Sequence, residues 1–203
     1  MPYRPTDSTR ARLAAVRERI VDAALDQLAA GGYASASMAA VARRAGIATG
    51  TVYRHFPSKG DLFAEVFRKA SQREVDALRA TTARGEPAAA RLAAWVETFV
   101  RRALAEPVRA YALIAEPVDP AVEAERLTFR RAYAGLFARA LADGVESGEL
   151  PPLDADLTAA AIVGALAEAL VGPLQQRDAG ADALVDALQT FVLRSVGTAH
   201  AHA

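Results

Sequence analysis

The sequence predicts an all-α protein of about nine helices, a small N-terminal head on a larger body. Three observations predict it. Apolar residues recur at spacings of three and four along most of the chain. No stretch sustains the two-residue alternation of a strand. Gly and Pro fall where the apolar stripes stop. With 52% hydrophobic residues over 203 positions there is enough apolar material for a full core. The absence of Cys excludes disulfides, thiolate metal sites and cysteine nucleophiles.

Residues 1–8 hold two prolines and read as a loose arm; its Arg4, with Arg10 and Arg12 just beyond, is either solvated or in contact with phosphate. Leu13, Val16, Ile20, Ala24 and Leu28 make one helical face from Thr9 to Ala30, closed by Gly31-Gly32. Ser35 or Ser37 can cap a short helix from Met38 to Ala45, with Val41 and Ala42 inward and Arg43 and Arg44 on the other side. Gly46 ends that helix. Thr49 reads as the N-cap of another, Gly50 to Phe56, with Val52 and Phe56 inward and Thr51, Tyr53, Arg54 and His55 mainly outward. Pro57 stops it, and Ser58-Lys59-Gly60-Asp61 is a capping box opening a longer helix to about Thr82.

Two short helices around a Gly-centred turn form a helix-turn-helix, which presents hydrogen-bond donors to a DNA groove. The charge distribution agrees. Residues 1–60 carry nine basic and four acidic side chains, the rest fifteen and twenty, so a head of net +5 sits on a body of net −5. A basic end meeting a polyanion and a chance clustering on a solvated surface both fit that asymmetry. The division expected is a DNA-binding domain over residues 1–57 and a helical body over residues 58–203.

The string Gly32-Tyr33, Met38-x-x-Val41-Ala42-x-x-Ala45-Gly46, Gly50-Thr51-Val52-Tyr53-x-His55-Phe56-x-Ser58-Lys59-x-x-Leu62 closely resembles the DNA-binding region of the tetracycline-repressor (TetR) family. The resemblance covers about residues 12–65. It implies an all-helical, homodimeric repressor with three DNA-binding helices and a divergent body that binds a small inducer. It also implies that Thr51, Tyr53 and His55 lie on the recognition helix and touch DNA, and that Lys59 meets a phosphate. Arg54 stands at a variable position and rests on its outward placement alone. Ala36 and Ala48 depart from the pattern, where the family often has Thr and Ser; Ser35, Ser37 and Thr49 can supply those hydroxyls instead. With Arg44, the candidate DNA-contacting set is Ser37, Arg44, Thr49, Thr51, Tyr53, Arg54, His55 and Lys59. His55 could equally cap the helix end, and Tyr53 could be a core edge.

In the body, helices are expected over residues 87–105, through Tyr111 to near Pro117, from Pro120 to Glu146, from Asp154 to Val171 and from Ala181 to Val196. Trp95, Phe99, Tyr111, Phe129, Tyr133 and Phe137 either fill an ordinary core or line an apolar pocket. Glu168 interrupts an apolar helix and faces either water or that pocket. The helix at Asp154 is apolar nearly all round, and its small Ala160, Gly164 and Ala167 admit a partner helix. With Leu184, Leu188 and Phe191 of the last helix they form the candidate dimer interface, a four-helix arrangement in a pair of chains. That the pairing is a dimer follows from the resemblance.

The partners expected are therefore double-stranded DNA, a second copy of the chain, and an apolar or amphipathic small molecule. No membrane partner is expected, since Glu168, Gly172 and Pro173 interrupt the most apolar stretch; no cofactor or metal is expected, and the location expected is the cytoplasm. Three His, no Cys, no Gly-rich phosphate loop and no paired carboxylates argue against an enzyme. The rival readings are a helical adaptor that binds protein rather than specific DNA, and a small-molecule enzyme.

Overall fold

The structure is a computed structural model that describes residues 7–82, 85–176 and 180–197. Among them are nine α-helices and no strand. Arg4, His200 and His202 lie outside the described residues.

The head is built by α1 (Asp7–Ser35), α2 (Met38–Ala45) and α3 (Thr49–His55). Its core joins Ile20, Ala24 and Leu28 of α1 to Val41, Val52 and Phe56, all 2% exposed or less. Helix α1 begins two residues before the expected start, so Arg10 and Arg12 are exposed helical residues rather than part of an arm. It also continues to Ser35, but only across a break at Gly32 (φ 76°, ψ −176°). A Cβ there would lie 2.8 Å from Glu116 Oε2, so Gly serves both the backbone angle and the close approach.

Ser37 caps α2 by accepting from the amide of Ala40 at 3.2 Å. Gly46 closes α2 in the left-handed conformation (φ 64°). The expected cap of α3 is corrected. Ala48 occupies the N-cap without a side-chain bond, and Thr49 is the first helical residue. The helix therefore starts and ends one residue earlier than the spacing suggested, with Phe56 as its buried C-cap.

Helix α4 (Lys59–Thr81) is capped by Ser58, which accepts from the amide of Asp61 at 3.0 Å. It belongs to both halves. Leu62, Phe63, Val66, Phe67 and Ala70 complete the head core, while Val75 and Leu78 enter the body core. The body is α5 (Ala88–Ala105), α6 (Pro107–Ile114), α7 (Pro120–Glu146), α8 (Ala155–Gln176) and α9 (Ala181–Ser195). Glu149 stands in for a missing cap on α5, taking the amides of Ala88 and Ala89 at 2.6 and 2.8 Å. Ala112 of α6 and Val122 of α7 sit, fully buried, in the head core. The α6–α7 corner is thus the body's hold on the head.

Helix α8 runs five residues beyond its expected end at Val171. Pro173 removes one backbone donor, but Leu174 is 3% exposed in the body core and holds the extra turn in place. This helix is long and apolar enough to cross a membrane by length and composition, with a mean hydropathy of 1.8 in its most apolar window. Its inner side packs on α5, α6 and α7.

Candidate nucleic-acid interface and ligand cavity

Helix α3 is seven residues long, too short to be stable by itself, and is held from outside. Val52 and Phe56 pin its inner side at 0% and 2% exposure. Arg17 of α1 lays its guanidinium over the Phe56 ring, 4.1 Å from the centroid, and donates to the carbonyl of His55 at 3.2 Å. A cation at a helix C-terminus satisfies an orphan carbonyl and the end of the helix dipole together.

The opposite side of α3 is free. Tyr53 is 49% exposed, Thr49 and Arg54 are exposed, and Arg54 reaches only to the Thr51 hydroxyl at 3.1 Å. Thr51 and His55 are half-buried at its edges. Beside them Arg43 is exposed, its guanidinium making no hydrogen bond or ion pair among the described residues. Arg44, by contrast, is tied to Asp26 of α1 at 2.8 Å. Ser37 is exposed, with its oxygen engaged in the α2 cap. Ala36, where a hydroxyl was expected, is buried in the head core.

Lys59 stands at the first position of α4 and turns toward the head. Its Nζ donates to the carbonyl of Tyr33 at 2.7 Å and lies 4.1 Å from that ring's centroid. Burial lowers its pKa, opposed by the charges of Asp119 and Glu116. Those two carboxylates belong to a latch between body and head. Glu116, 9% exposed, accepts from the amides of Tyr33 and Ala34 at 2.7 and 2.9 Å, satisfying donors freed by the break at Gly32. Asp119 accepts from the Tyr33 hydroxyl, whose pKa is pushed up by burial and by that carboxylate.

Arg126 of α7 fixes the latch from behind. It is 8% exposed and donates to the carbonyls of Leu113 and Ala112 at 3.0 Å and of Glu116 at 2.6 Å. It also pairs with Glu123. The end of α6, which has run out of intrahelical donors, is held by one guanidinium.

The same Arg126 lines a cavity in the body. The apolar wall is Phe99, Phe129, Tyr133, Phe137, Val163 and Leu166. The void is about 90 Å³, large enough for several waters. Ser71, Glu74, Arg102 and Arg109 meet it at one side and Arg130 at another. Of the aromatic residues expected there, Phe99, Phe129, Tyr133 and Phe137 line it. Trp95 and Tyr111 do not. Trp95 is stacked edge-on against Phe137 within the core, with its Nε1 buried and without a partner among the described residues, and Tyr111 packs against the core beside the cavity. Glu168 lines an adjoining polar opening with Arg126 and Arg130 rather than the cavity itself.

The basic lining lies outside the aromatic set expected from the sequence. A signal was present. Arg126, Phe129, Arg130, Tyr133 and Phe137 recur at helical spacing and share one side of α7.

On the outer surface, Leu157 is 69% exposed, and Ala160 and Gly164 continue its stripe along α8. A Cβ at Gly164 would meet nothing within 4 Å. Ala167 instead turns toward the cavity. On α9, Phe191 is 48% exposed and Leu184 is half-buried, whereas Leu188 is 8% exposed in its own core.

Comparison with known proteins matches both halves. Residues 20–66 fit the family of bacterial regulatory proteins described as tetR, and residues 85–170 fit the tetracyclin repressor-like C-terminal domain. The HTH-type transcriptional repressor KstR of Mycobacterium tuberculosis is 35% identical over 134 residues, covering 63% of this chain and 59% of that protein. KstR of Mycolicibacterium smegmatis is 45% identical over 73 residues, 35% of each chain. The chain thus spans well under two thirds of the length of these relatives in the matched regions. Among solved structures, the fatty acid degradation regulator FadR of Bacillus halodurans superposes with a TM-score of 0.76 at 25% identity, over 87% of this chain and 94% of that one. FadR of Bacillus subtilis in complex with stearoyl-CoA shares the fold, with a TM-score of 0.76 at 21% identity, over 90% and 99% of the two chains. Helix-turn-helix head, helical body and both family matches agree: the chain belongs to the tetR family of bacterial regulatory proteins.

Proposed function

We propose that this protein is a DNA-binding transcriptional regulator of the cytoplasm, a homodimeric repressor that reads a pseudo-palindromic operator and is released by an apolar or amphipathic small molecule. In this reading residues 1–57 are the DNA-binding unit and residues 58–203 the ligand-binding and dimerisation unit. One observation carries it. Helix α3 is anchored on one side by Val52, Phe56 and Arg17, and turns Thr49, Tyr53 and Arg54 to solvent beside the unpaired Arg43. A helix fixed so firmly for its length, with its polar side left free, suits insertion into a major groove.

Selection of duplexes from a random pool, followed by gel shift, tests this. Two half-sites centred about 34 Å apart are expected. A pool that yields no enriched sequence would exclude operator reading and favour an adaptor.

Lys59 takes part in this reading through its spare donors. An ammonium has three N–H groups, and the Tyr33 carbonyl uses one. Lys59→Ala is expected to weaken binding to all duplexes alike and to lower the slope of log affinity against log salt by about one. An unchanged slope would remove Lys59 from the phosphate contacts.

The dimer reading is supported by the exposed Leu157–Gly164 stripe and by Phe191. Because a side chain at Gly164 has free space within the protomer, Gly164→Leu tests the partner contact and not the fold. It is expected to hold two α8 helices apart and shift the protein toward monomer in sedimentation equilibrium. The same association constant as the unaltered protein would place the dimer contact elsewhere. For the ligand, the cavity with its aromatic wall is the seat this reading assigns, and the fold accommodates stearoyl-CoA in the Bacillus subtilis FadR. A ligand there would act by favouring or opposing the Arg126–Glu116 latch as it stands relative to a form of the protein that does not bind DNA.

A further inference from the structure

We propose that the polar opening between α4, α5 and α6 seats the anionic end, a carboxylate or a phosphate, of an amphipathic ligand whose apolar part lies in the cavity. The proposal rests on the reading of the body as a ligand-binding unit and adds to it the headgroup and its place. The opening is lined by Arg73, Glu74, Arg102, Glu106 and Arg109, and shares all of these except Arg73 with the cavity.

Its charges do not balance. Glu74 is divided between Arg102, at 2.6 and 3.1 Å, and Arg109, at 3.3 Å. Glu106 takes the other side of Arg109 at 2.6 Å. Two carboxylates thus serve two guanidiniums, and the third, Arg73, has no hydrogen bond or ion pair among the described residues. One positive charge is left over at the rim.

Two hydroxyls on the cavity wall are without partners among the described residues. Ser71 is 6% exposed, and Tyr133 lines the same space as the Glu74–Arg102 pair, its ring edge-on to Phe99. Both line the cavity, and neither hydroxyl makes a hydrogen bond among the described residues. Beyond them the wall turns to Phe129, Phe137 and Leu166. Cation, hydroxyls and apolar wall thus border two spaces that share four lining residues, the groups an acidic amphiphile needs to meet.

The second opening differs. There Arg126 is engaged by three carbonyls and Glu123, and Arg130 reaches the Ile114 carbonyl at 3.4 Å, so both guanidiniums have backbone acceptors, as Arg73 does not. The first opening also touches the head, because Leu25 of α1 forms part of its wall. A headgroup seated there lies against the DNA-binding unit itself.

The test is calorimetric titration of the full chain with decanoate, decyl phosphate and decanol, all below their micellar concentrations. Both anions are expected to bind at least about tenfold more tightly than the alcohol, the difference a charge-assisted hydrogen bond makes. Arg73→Ala, at an exposed and unpaired residue, is expected to weaken the anions several-fold and leave decanol unchanged. Arg79→Ala, which removes the same charge from the same helix outside the cavity, is expected to alter none of the three. Whichever anion binds more tightly identifies the headgroup as carboxylate or phosphate. Equal binding of anions and alcohol, or equal effects of the two arginine variants, would overturn the headgroup site while leaving the cavity a binding site. Binding of none of the three would overturn both.

Discussion

Arg126→Met is expected to cost about 3 kcal/mol of folding stability, in the range of a broken buried charged contact. Methionine fills much of the same space but donates nothing. The carbonyls of Ala112, Leu113 and Glu116 would lose their common donor, and two of the three bonds are fully buried. Each orphaned group carries a desolvation penalty of about 1–3 kcal/mol, offset where water can enter from the cavity. For a chain of this size the melting temperature should fall by about 6–12 °C, read at one protein concentration because a dimer's melting depends on it. Arg126→Lys should recover only part of the loss, since a point donor cannot span three acceptors. A melting temperature within about 1–2 °C of the unaltered protein would mean the α6 carbonyls are satisfied by water, and the guanidinium would cease to be the post on which the latch hangs.

The same substitution bears on coupling. The latch runs from Arg126 in the cavity wall through the Glu116 backbone to the Glu116 carboxylate on the amides of Tyr33 and Ala34. One residue therefore contacts the cavity with its side chain and the head's holding point by hydrogen bond. Nothing in the local sequence announces this. Glu116 and Tyr33 are 83 positions apart, and the need for a carboxylate arises only because α1 breaks at Gly32 and leaves two amides bare. The Gly31-Gly32 pair signalled a break, but a break does not name what will cap it.

Other features were legible because their cause is local. The positions of the helices follow from apolar spacing, and the Ser37, Gly46 and Ser58 caps from residue chemistry. The start of α3 was misplaced by one residue because Thr49 offers a good cap but the chain uses Ala48, whose extended backbone serves without a side-chain bond. In the cavity, an aromatic stripe reports burial, not whether the buried ring borders a void. Phe137 and Trp95 touch each other, yet only Phe137 lines the space. Arg102 and Arg109 were invisible for a similar reason, since their meeting on Glu74 joins α4, α5 and α6, which spacing along one helix cannot show.

Tyr53→Ala should separate DNA recognition from folding more cleanly than any other change in the head. Its ring is 49% exposed and takes part in no ring stacking, hydrogen bond or ion pair among the described residues, so its removal should alter stability by no more than about 0.5 kcal/mol. Affinity for a duplex selected by the unaltered protein should fall at least about tenfold, the loss of one good groove contact. Phe56→Ala, three residues on, is the contrasting case. Phe56 is 2% exposed and carries Arg17 over its ring, so about 3–5 kcal/mol of stability should be lost, and binding with it, because α3 would no longer be held. Tyr53→Phe then divides the first effect. If the hydroxyl donates to a phosphate, Phe should behave like Ala and the loss should be similar for every sequence; if the ring packs on a thymine methyl, Phe should restore affinity and the loss should be confined to sequences that carry it. A Tyr53→Ala protein that binds the selected duplex with undiminished affinity would show that the free side of α3 is not the reading surface, whatever the rest of the head does.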